Sequence, residues 1–309
     1  MRFEKKPGRN NMIHHDFCPV CLNTDISGFF KCEDHFISRE IFEIFRCNEC
    51  GFAFTQDHPE ESEAGQFYES EDYISHSDSK KGITDQAYQL VRRLMLKKKK
   101  RMIRKITGLS AGTILDIGCG TGHFLNSMKE TGWNTKGIEI NERAGKYAES
   151  IFNLEVLTPE KIKTLSTGIF DCITLWHVLE HFHEPDKIIE EISRLLKPDG
   201  VCIIALPNNH SFDSEYYGKE WAAYDVPRHL WHFNPDTFSL FTKRNKFKLM
   251  EMQTLPLDVF YISILSEKYR GEKFPFIYGA IKGFIFSLQS IFKRSGSSSM
   301  IYILKKAEY

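Results

Sequence analysis

A chain of 309 residues is long enough for one full α/β domain and one small additional module. Lysine plus arginine balances aspartate plus glutamate at 41 each, so no global field draws the protein to nucleic acid or to an anionic membrane, and any such partner has to be held by a local patch. The first ten residues are charged and lack the apolar run of a secretory signal, which predicts a cytoplasmic protein.

The first unit, residues 1–55, is bracketed by Cys18-Pro-Val-Cys21 and Cys47-Asn-Glu-Cys50-Gly51, two Cys-x-x-Cys pairs with 25 residues between them. In a reducing compartment this spacing predicts a closed, tetrahedral four-thiolate zinc site of structural type, in which each pair forms a tight knuckle. The segment is too short to hold a core unaided, and metal would supply what packing does not. Strands are expected at 29–32 and 41–46. His14, His15, His35 and Cys32 are reserve ligands. The bland alternative is four unrelated reduced cysteines. Cys119, Cys172 and Cys202 lie in apolar segments and read as core.

Residues 56–83 read as a polar connecting segment, although Tyr68, Tyr73 and His76 give it more aromatic character than a linker needs. From 84 to 106, Tyr88, Val91, Leu94, Met95, Ile103 and Ile106 recur at helical spacing. The cations from Lys97 to Arg101 read as the solvated face of that helix rather than as a phosphate-binding stripe.

Beyond residue 110 strands and helices alternate, which predicts a mainly parallel sheet covered on both faces. Strands are expected at 113–117, 134–140, 154–157, 170–175, 201–206, 247–255 and 300–304, and helices at 122–131, 141–151, 185–196 and 235–244. Between the last two strands, 256–299 is aromatic and aliphatic and reads first as an active-site lid. Its 274–292 portion contains Pro275, Lys282, Gln289 and two glycines, which argues against a spanning helix and leaves peripheral membrane contact as the second reading.

The sharpest signal is Ile114-Leu115-Asp116-Ile117-Gly118-Cys119-Gly120-Thr121-Gly122, an apolar strand entering a glycine-rich turn and then a helix. Such a turn lets a ligand approach the backbone and the free amides of the helix start. The third glycine comes one residue too early for a dinucleotide fingerprint, and no Gly-Lys-Ser/Thr makes it a P-loop. Asp116, before the first glycine, suits an ammonium group better than a pyrophosphate. Glu139, 17 residues after Gly122, stands where a carboxylate accepts from ribose hydroxyls. Together the two acids describe a nucleoside with a cationic tail.

These residues, with Phe170-Asp171-Cys172-Ile173-Thr174-Leu175 and Trp176-His177-Val178-Leu179-Glu180-His181, make the chain resemble the class I S-adenosylmethionine-dependent methyltransferases over roughly residues 105–255. The resemblance implies a Rossmann-like, seven-stranded, mainly parallel α/β sheet with an antiparallel last hairpin, in a domain running from 84 to 309. It also implies that Asp116, Gly118, Cys119, Gly120 and Gly122 surround the methionine moiety, that Glu139 and Ile140 hold the nucleoside, and that Trp176 or His177 lies along the cofactor. Adenine contacts would fall near Leu157 and Thr158, where no acid stands to receive the amino group.

Methyl transfer is an in-line displacement that needs alignment and, for a hydroxyl or carbon acceptor, a base. His177 and His181 after the fourth strand, and His229 and His232 after the fifth, are the candidates, since both pairs follow strands whose carboxyl ends face one crevice. Two have a bland reading beside the functional one: His181 as a helix cap, His232 as core. The function expected is O- or C-methylation of a small molecule or glycan precursor. The alternative is an RNA methyltransferase aided by the zinc module, but neutral charge and the absence of an amino-methylation motif weigh against nucleic acid.

Overall fold

A computed structural model describes residues 12–68 and 83–307. Strands are numbered in chain order: β1 Met12–Ile13, β2 Ile26–Glu33, β3 Ile41–Cys47, β4 Ala53–Gln56, β5 His58–Pro59, β6 Thr113–Ile117, β7 Asn134–Ile138, β8 Glu155–Leu157, β9 Phe170–Trp176, β10 Leu196–Pro207, β11 Trp231–His232, β12 Phe247–Thr254 and β13 Ser299–Lys306.

Seven of them form one sheet in the order β12-β13-β10-β9-β6-β7-β8. Pairings from β10 through β8 are parallel, and β13 runs antiparallel to both β10 and β12. The Rossmann-like architecture with a reversed seventh strand is therefore present as anticipated. Its central strands are apolar on both faces, as a sheet covered on both sides requires. Leu115, Ile117, Ile173 and Leu175 face one core with Phe238 and Phe241, while Ile114, Cys172, Ile203 and Ile301 face the other with Ile103 and Leu125.

Local chemistry sets the helix boundaries. The Asn141 side chain accepts from the Ala144 amide ahead of Glu142–Phe152, and Asn234 with Thr237 forms a capping box ahead of Pro235–Arg244, which also carries proline in its first turn.

The second sheet, β11-β4-β3-β2, alters the expected organisation. β11 belongs to the segment after β10, yet Trp231 and His232 pair with Phe54 and Ala53 of β4, so the larger unit completes the sheet of the cysteine module. Structure also continues past residue 55: β5 pairs with β1, and short helical turns occupy Glu61–Ala64 and Gly65–Phe67. Tyr73 and His76 lie outside the described residues.

The insertion after β12 is a pair of helices, Asp258–Tyr269 and Pro275–Phe292. They cross at close quarters, for a Cβ on Gly279 would lie 2.4 Å from the Ile264 Cα and one on Gly283 would lie 2.9 Å from the Phe260 Cα. Val259, Ile262 and Phe286 from this pair join Cys32, Phe42 and Ile44 of the second sheet and Trp221 and Tyr224 in a third core.

Candidate active site and thiolate cluster

The glycine turn sits at the carboxyl end of β6. Its three glycines do different work. A Cβ on Gly118 would strike Val178 at 2.4 Å and one on Gly122 would strike Leu154 at 2.6 Å, so these two permit packing. Gly120, at φ +54°, has nothing within 4 Å of the Cβ position and is the one that opens onto the crevice. Cys119 is buried, with its sulfur packed where a Gly137 side chain would be, so its thiol belongs to the core and only its backbone belongs to the turn.

Two carboxylates flank the turn. Asp116 is buried and accepts a 2.6 Å hydrogen bond from the Thr174 hydroxyl. Burial pushes its pKa up to about 7 against the opposing influence of Thr174 and Lys99. Glu139 accepts from the Gly120 amide at 2.7 Å and from the Asn141 amide at 2.8 Å, which fixes its carboxylate at the end of β7. Ile140 beside it is 80% exposed, an aliphatic surface available to a flat ring.

Lys99 departs from its expected place on a solvated helix face. From helix Ile83–Thr107 its ammonium lies 3.7 Å from the Trp176 ring centroid, near the Asp116 and Asp258 carboxylates, and burial lowers its pKa to about 8. The buried indole N–H of Trp176 has no hydrogen-bond partner among the described residues. Leu157 ends β8, and Thr158 precedes a 3-10 turn at Pro159–Thr164.

His177, directly after β9, takes a left-handed φ of +57°, a conformation that costs a non-glycine residue on the order of 1 kcal/mol or more and needs support from its surroundings. The support is visible. Its amide donates to the Ala205 carbonyl at 3.0 Å, its Nε2 lies 2.8 Å from Asp258 Oδ2, and its Nδ1 lies 3.6 Å from Glu180 Oε1. Burial would lower the imidazole pKa, but the Asp258 and Glu180 carboxylates override it and push it up to about 10. His177 is thus a cation at neutral pH.

Behind it, Glu180 is fully buried with neither carboxylate oxygen hydrogen-bonded among the described residues; burial opposes its charge, and the surrounding imidazoles keep its pKa low nonetheless. Glu180, His181 and His229 each bring one side-chain donor atom within 4.8 Å of the others. His181 and His229 meet edge to face at 4.6 Å. His229 Nδ1 lies 2.8 Å from the Ala223 carbonyl and donates to it, while Nε2 lies 4.0 Å from Asp225 Oδ2. His181 Nδ1 lies 3.1 Å from both the Arg228 carbonyl and the Tyr68 hydroxyl, and burial drops its pKa to about 4.

The structure brings His177, His181 and His229 together and sets His232 apart. His232 is buried in β11 with Nε2 3.1 Å from the Thr55 hydroxyl, and burial lowers its pKa to about 3. Strand alternation turns it onto the Tyr224 ring, 5.1 Å away in the third core. Sequence reasoning missed Asp258, Lys99 and Glu180. A carboxylate opening the insertion and an acid inside the Trp176–His181 segment were the available signals.

The four cysteines converge as their spacing predicted. Cys18 and Cys50 sulfurs are 3.6 Å apart, those of Cys21 and Cys47 are 3.5 Å apart, and all four lie within 4.8 Å of one another. Amides of Val20 and Cys21 point at the Cys18 sulfur, and that of Cys50 at the Cys47 sulfur, which is the knuckle arrangement. Metal–sulfur bonds of about 2.3 Å in a tetrahedron place sulfurs about 3.8 Å apart, so the donor set fits zinc. The reserve ligands are engaged elsewhere: His14 pairs with Asp57, His15 with His58, and His35 stacks on Tyr269.

The methyltransferase domain family matches residues 85–251, more than half of the chain. The chain belongs to this family. It is a class I S-adenosylmethionine-dependent methyltransferase. Among curated relatives, the ubiquinone biosynthesis O-methyltransferase of Cupriavidus pinatubonensis is 26% identical over 172 residues, covering 50% of this chain and 69% of that one. The enzyme of the same name from Xanthomonas oryzae pv. oryzae is 31% identical over 134 residues, covering 40% of this chain and 56% of its own length. A solved S-adenosylmethionine-dependent methyltransferase from Archaeoglobus fulgidus is 25% identical and is covered to 94%, with 70% of this chain matched at a TM-score of 0.46.

Proposed function

We propose that the protein transfers a methyl group from S-adenosylmethionine to a hydroxyl of a small-molecule acceptor, with zinc held by Cys18, Cys21, Cys47 and Cys50 as a structural ion. The names of the curated relatives support an oxygen acceptor. The observation that carries the reading is the cluster of His177, Glu180, His181 and His229 beside the cofactor crevice, in which a cationic and a neutral imidazole flank a buried carboxylate.

S-adenosylmethionine supplies an electrophilic methyl group whose carbon–sulfur bonding electrons return to sulfur. Asp116 would receive the ammonium of its methionine part, Lys99 the carboxylate and Glu139 the ribose hydroxyls, and Ile140 would pack on the base. His229 Nε2 removes the acceptor proton as its oxygen attacks. Its tautomer is preset by Ala223, and the imidazolium that forms is stabilised by Glu180. His177, already charged, anchors the helix pair through Asp258, so the 256–299 insertion forms a wall of the acceptor site.

The names of the relatives above support a small-molecule acceptor, and a glycan precursor enters as one arm of the test. Purified protein would be incubated with methyl-labelled cofactor and, in parallel, with phenolic and catecholic hydroxyl compounds, lipid-linked and nucleotide sugars, and bulk RNA. Label in the hydroxyl compounds is the expected result. Label only in sugars or RNA would overturn the acceptor assignment.

A further inference from the structure

Helix Pro275–Phe292 presents an apolar surface that nothing in the fold covers. One side, with Gly279, Gly283 and Phe286, packs on its partner helix. The opposite side exposes large side chains along its whole length: Phe276 is 66% exposed, Ile281 52%, Phe284 58%, Ile291 68% and Phe292 91%. Ile277, Tyr278, Ile285 and Leu288 are exposed as well. At 100° per residue these positions cover about half of the helix circumference, much wider than the two-position seam of a coiled coil. Contiguous exposed apolar surface of this extent marks an interaction site.

The charges around it say which kind. The chain as a whole is neutral, yet from Lys273 to Ala307 there is no aspartate or glutamate, while Lys273, Lys282, Lys293 and Arg294 stand within or at the ends of the helix. An apolar face rimmed by four cations, with Glu272 at its start as the adjoining acid, matches a lipid surface with anionic headgroups. A helix of 18 residues with mean hydropathy 1.2 has the length and composition to cross a membrane. The fold rules against crossing: it is one leg of a pair whose other leg has 12 residues, roughly 18 Å, and both ends return at once to β12 and β13.

We propose that the exposed face of Pro275–Phe292 docks in the plane of an anionic bilayer surface, with the aromatic and aliphatic side chains in the headgroup–acyl boundary and the lysines on the phosphates. The inference stands on this surface alone and does not depend on the acceptor. The partner helix begins with Asp258, which holds His177, so docking would seat the catalytic cluster at a fixed height above the lipid.

The test is flotation of the full-length protein with vesicles of phosphatidylcholine alone and of phosphatidylcholine with phosphatidylglycerol. Binding to the anionic vesicles, weakened by salt, is expected. Ile281→Glu with Phe284→Glu should lower the partition about tenfold or more, with cofactor binding unchanged. Lys273→Glu with Lys293→Glu, which leaves the apolar face intact, should remove the salt-sensitive part. Failure of the unaltered protein to float with anionic vesicles overturns the proposal. So does a dimer seen by light scattering without lipid and abolished by the Ile281/Phe284 pair, which would assign the face to a second copy of the chain.

Discussion

Asp258 Oδ2 lies 2.8 Å from His177 Nε2, joining the first residue of the inserted helix pair to the residue that follows the fourth strand of the methyltransferase sheet. The contact holds His177 in its left-handed backbone conformation and keeps its imidazole charged. Removing the charge with Asp258→Asn should bring the His177 pKa down from about 10 toward neutrality, as read by NMR titration of the ring protons. Methyl transfer should fall about tenfold or more as the helix pair loosens. An unchanged titration would dissociate the two residues.

Cofactor affinity should depend on pH through Asp116. Burial raises its folded pKa to about 7, so below that value the carboxyl is protonated and offers no charge to the ammonium of the ligand. Calorimetric affinity for S-adenosylmethionine should therefore rise as pH climbs through about 7. Asp116→Asn should flatten the profile and weaken binding by about tenfold to a hundredfold. Glu139→Ala should weaken binding similarly and, by removing a negative charge that helps raise the Asp116 pKa, move the rise to lower pH.

The two histidines of the Val226–Phe233 segment should separate cleanly. His229→Ala should lower kcat by roughly a hundredfold to ten-thousandfold, the span of general-base effects, and leave cofactor affinity intact. His232→Ala should leave the chemistry and lower the thermal midpoint, because it removes a buried partner of Thr55. The reverse pattern would make His232 the base.

Acid should loosen the junction between the two sheets. His232 and His58 are buried neutral, with folded pKa values lowered by burial to about 3 and about 4 from 6.5. A depressed histidine pKa means the unfolded chain binds more protons, so this stability is intact above about 6.5 and is lost as pH falls toward those values. Hydrogen exchange at β4 and β11 should accelerate over that window, and His232→Gln should reduce its pH dependence.

Stripping metal from the four thiolates should act at the same place. Chelation, or Cys47→Ser, should lower the thermal midpoint and expose the amides of β3 and β4 to exchange, and zinc should restore the native protein after chelation but not in the variant. An unchanged midpoint and metal-free protein by mass spectrometry would remove zinc from the account.

What could be read from the sequence was what is encoded locally. The Asp116–Gly122 turn, the Asn234 cap and the two Cys-x-x-Cys knuckles each fit within a few neighbouring residues, so spacing and residue type sufficed. The missed parts join distant segments. Nothing in the cationic run beside Lys98 marks Lys99 as the member that turns onto Trp176, because one turn of helix decides which cation faces inward. Asp258 opens a stretch whose apolar character hid an acid that reaches His177. A two-residue strand such as β11 carries no period by which to be recognised.

The pairing of β11 with β4 bears on how the chain is to be divided. Sequence composition suggests a cut near residue 83, yet that cut would strip a hydrogen-bonded neighbour from Trp231 and His232, and with it the Thr55 hydroxyl from the His229 carbonyl and the Asp34 carboxylate from the buried Arg228 guanidinium. The fragment left behind would carry a buried guanidinium reduced to Asp225 as its carboxylate partner and a raw strand edge, the makings of an insoluble product rather than a smaller enzyme.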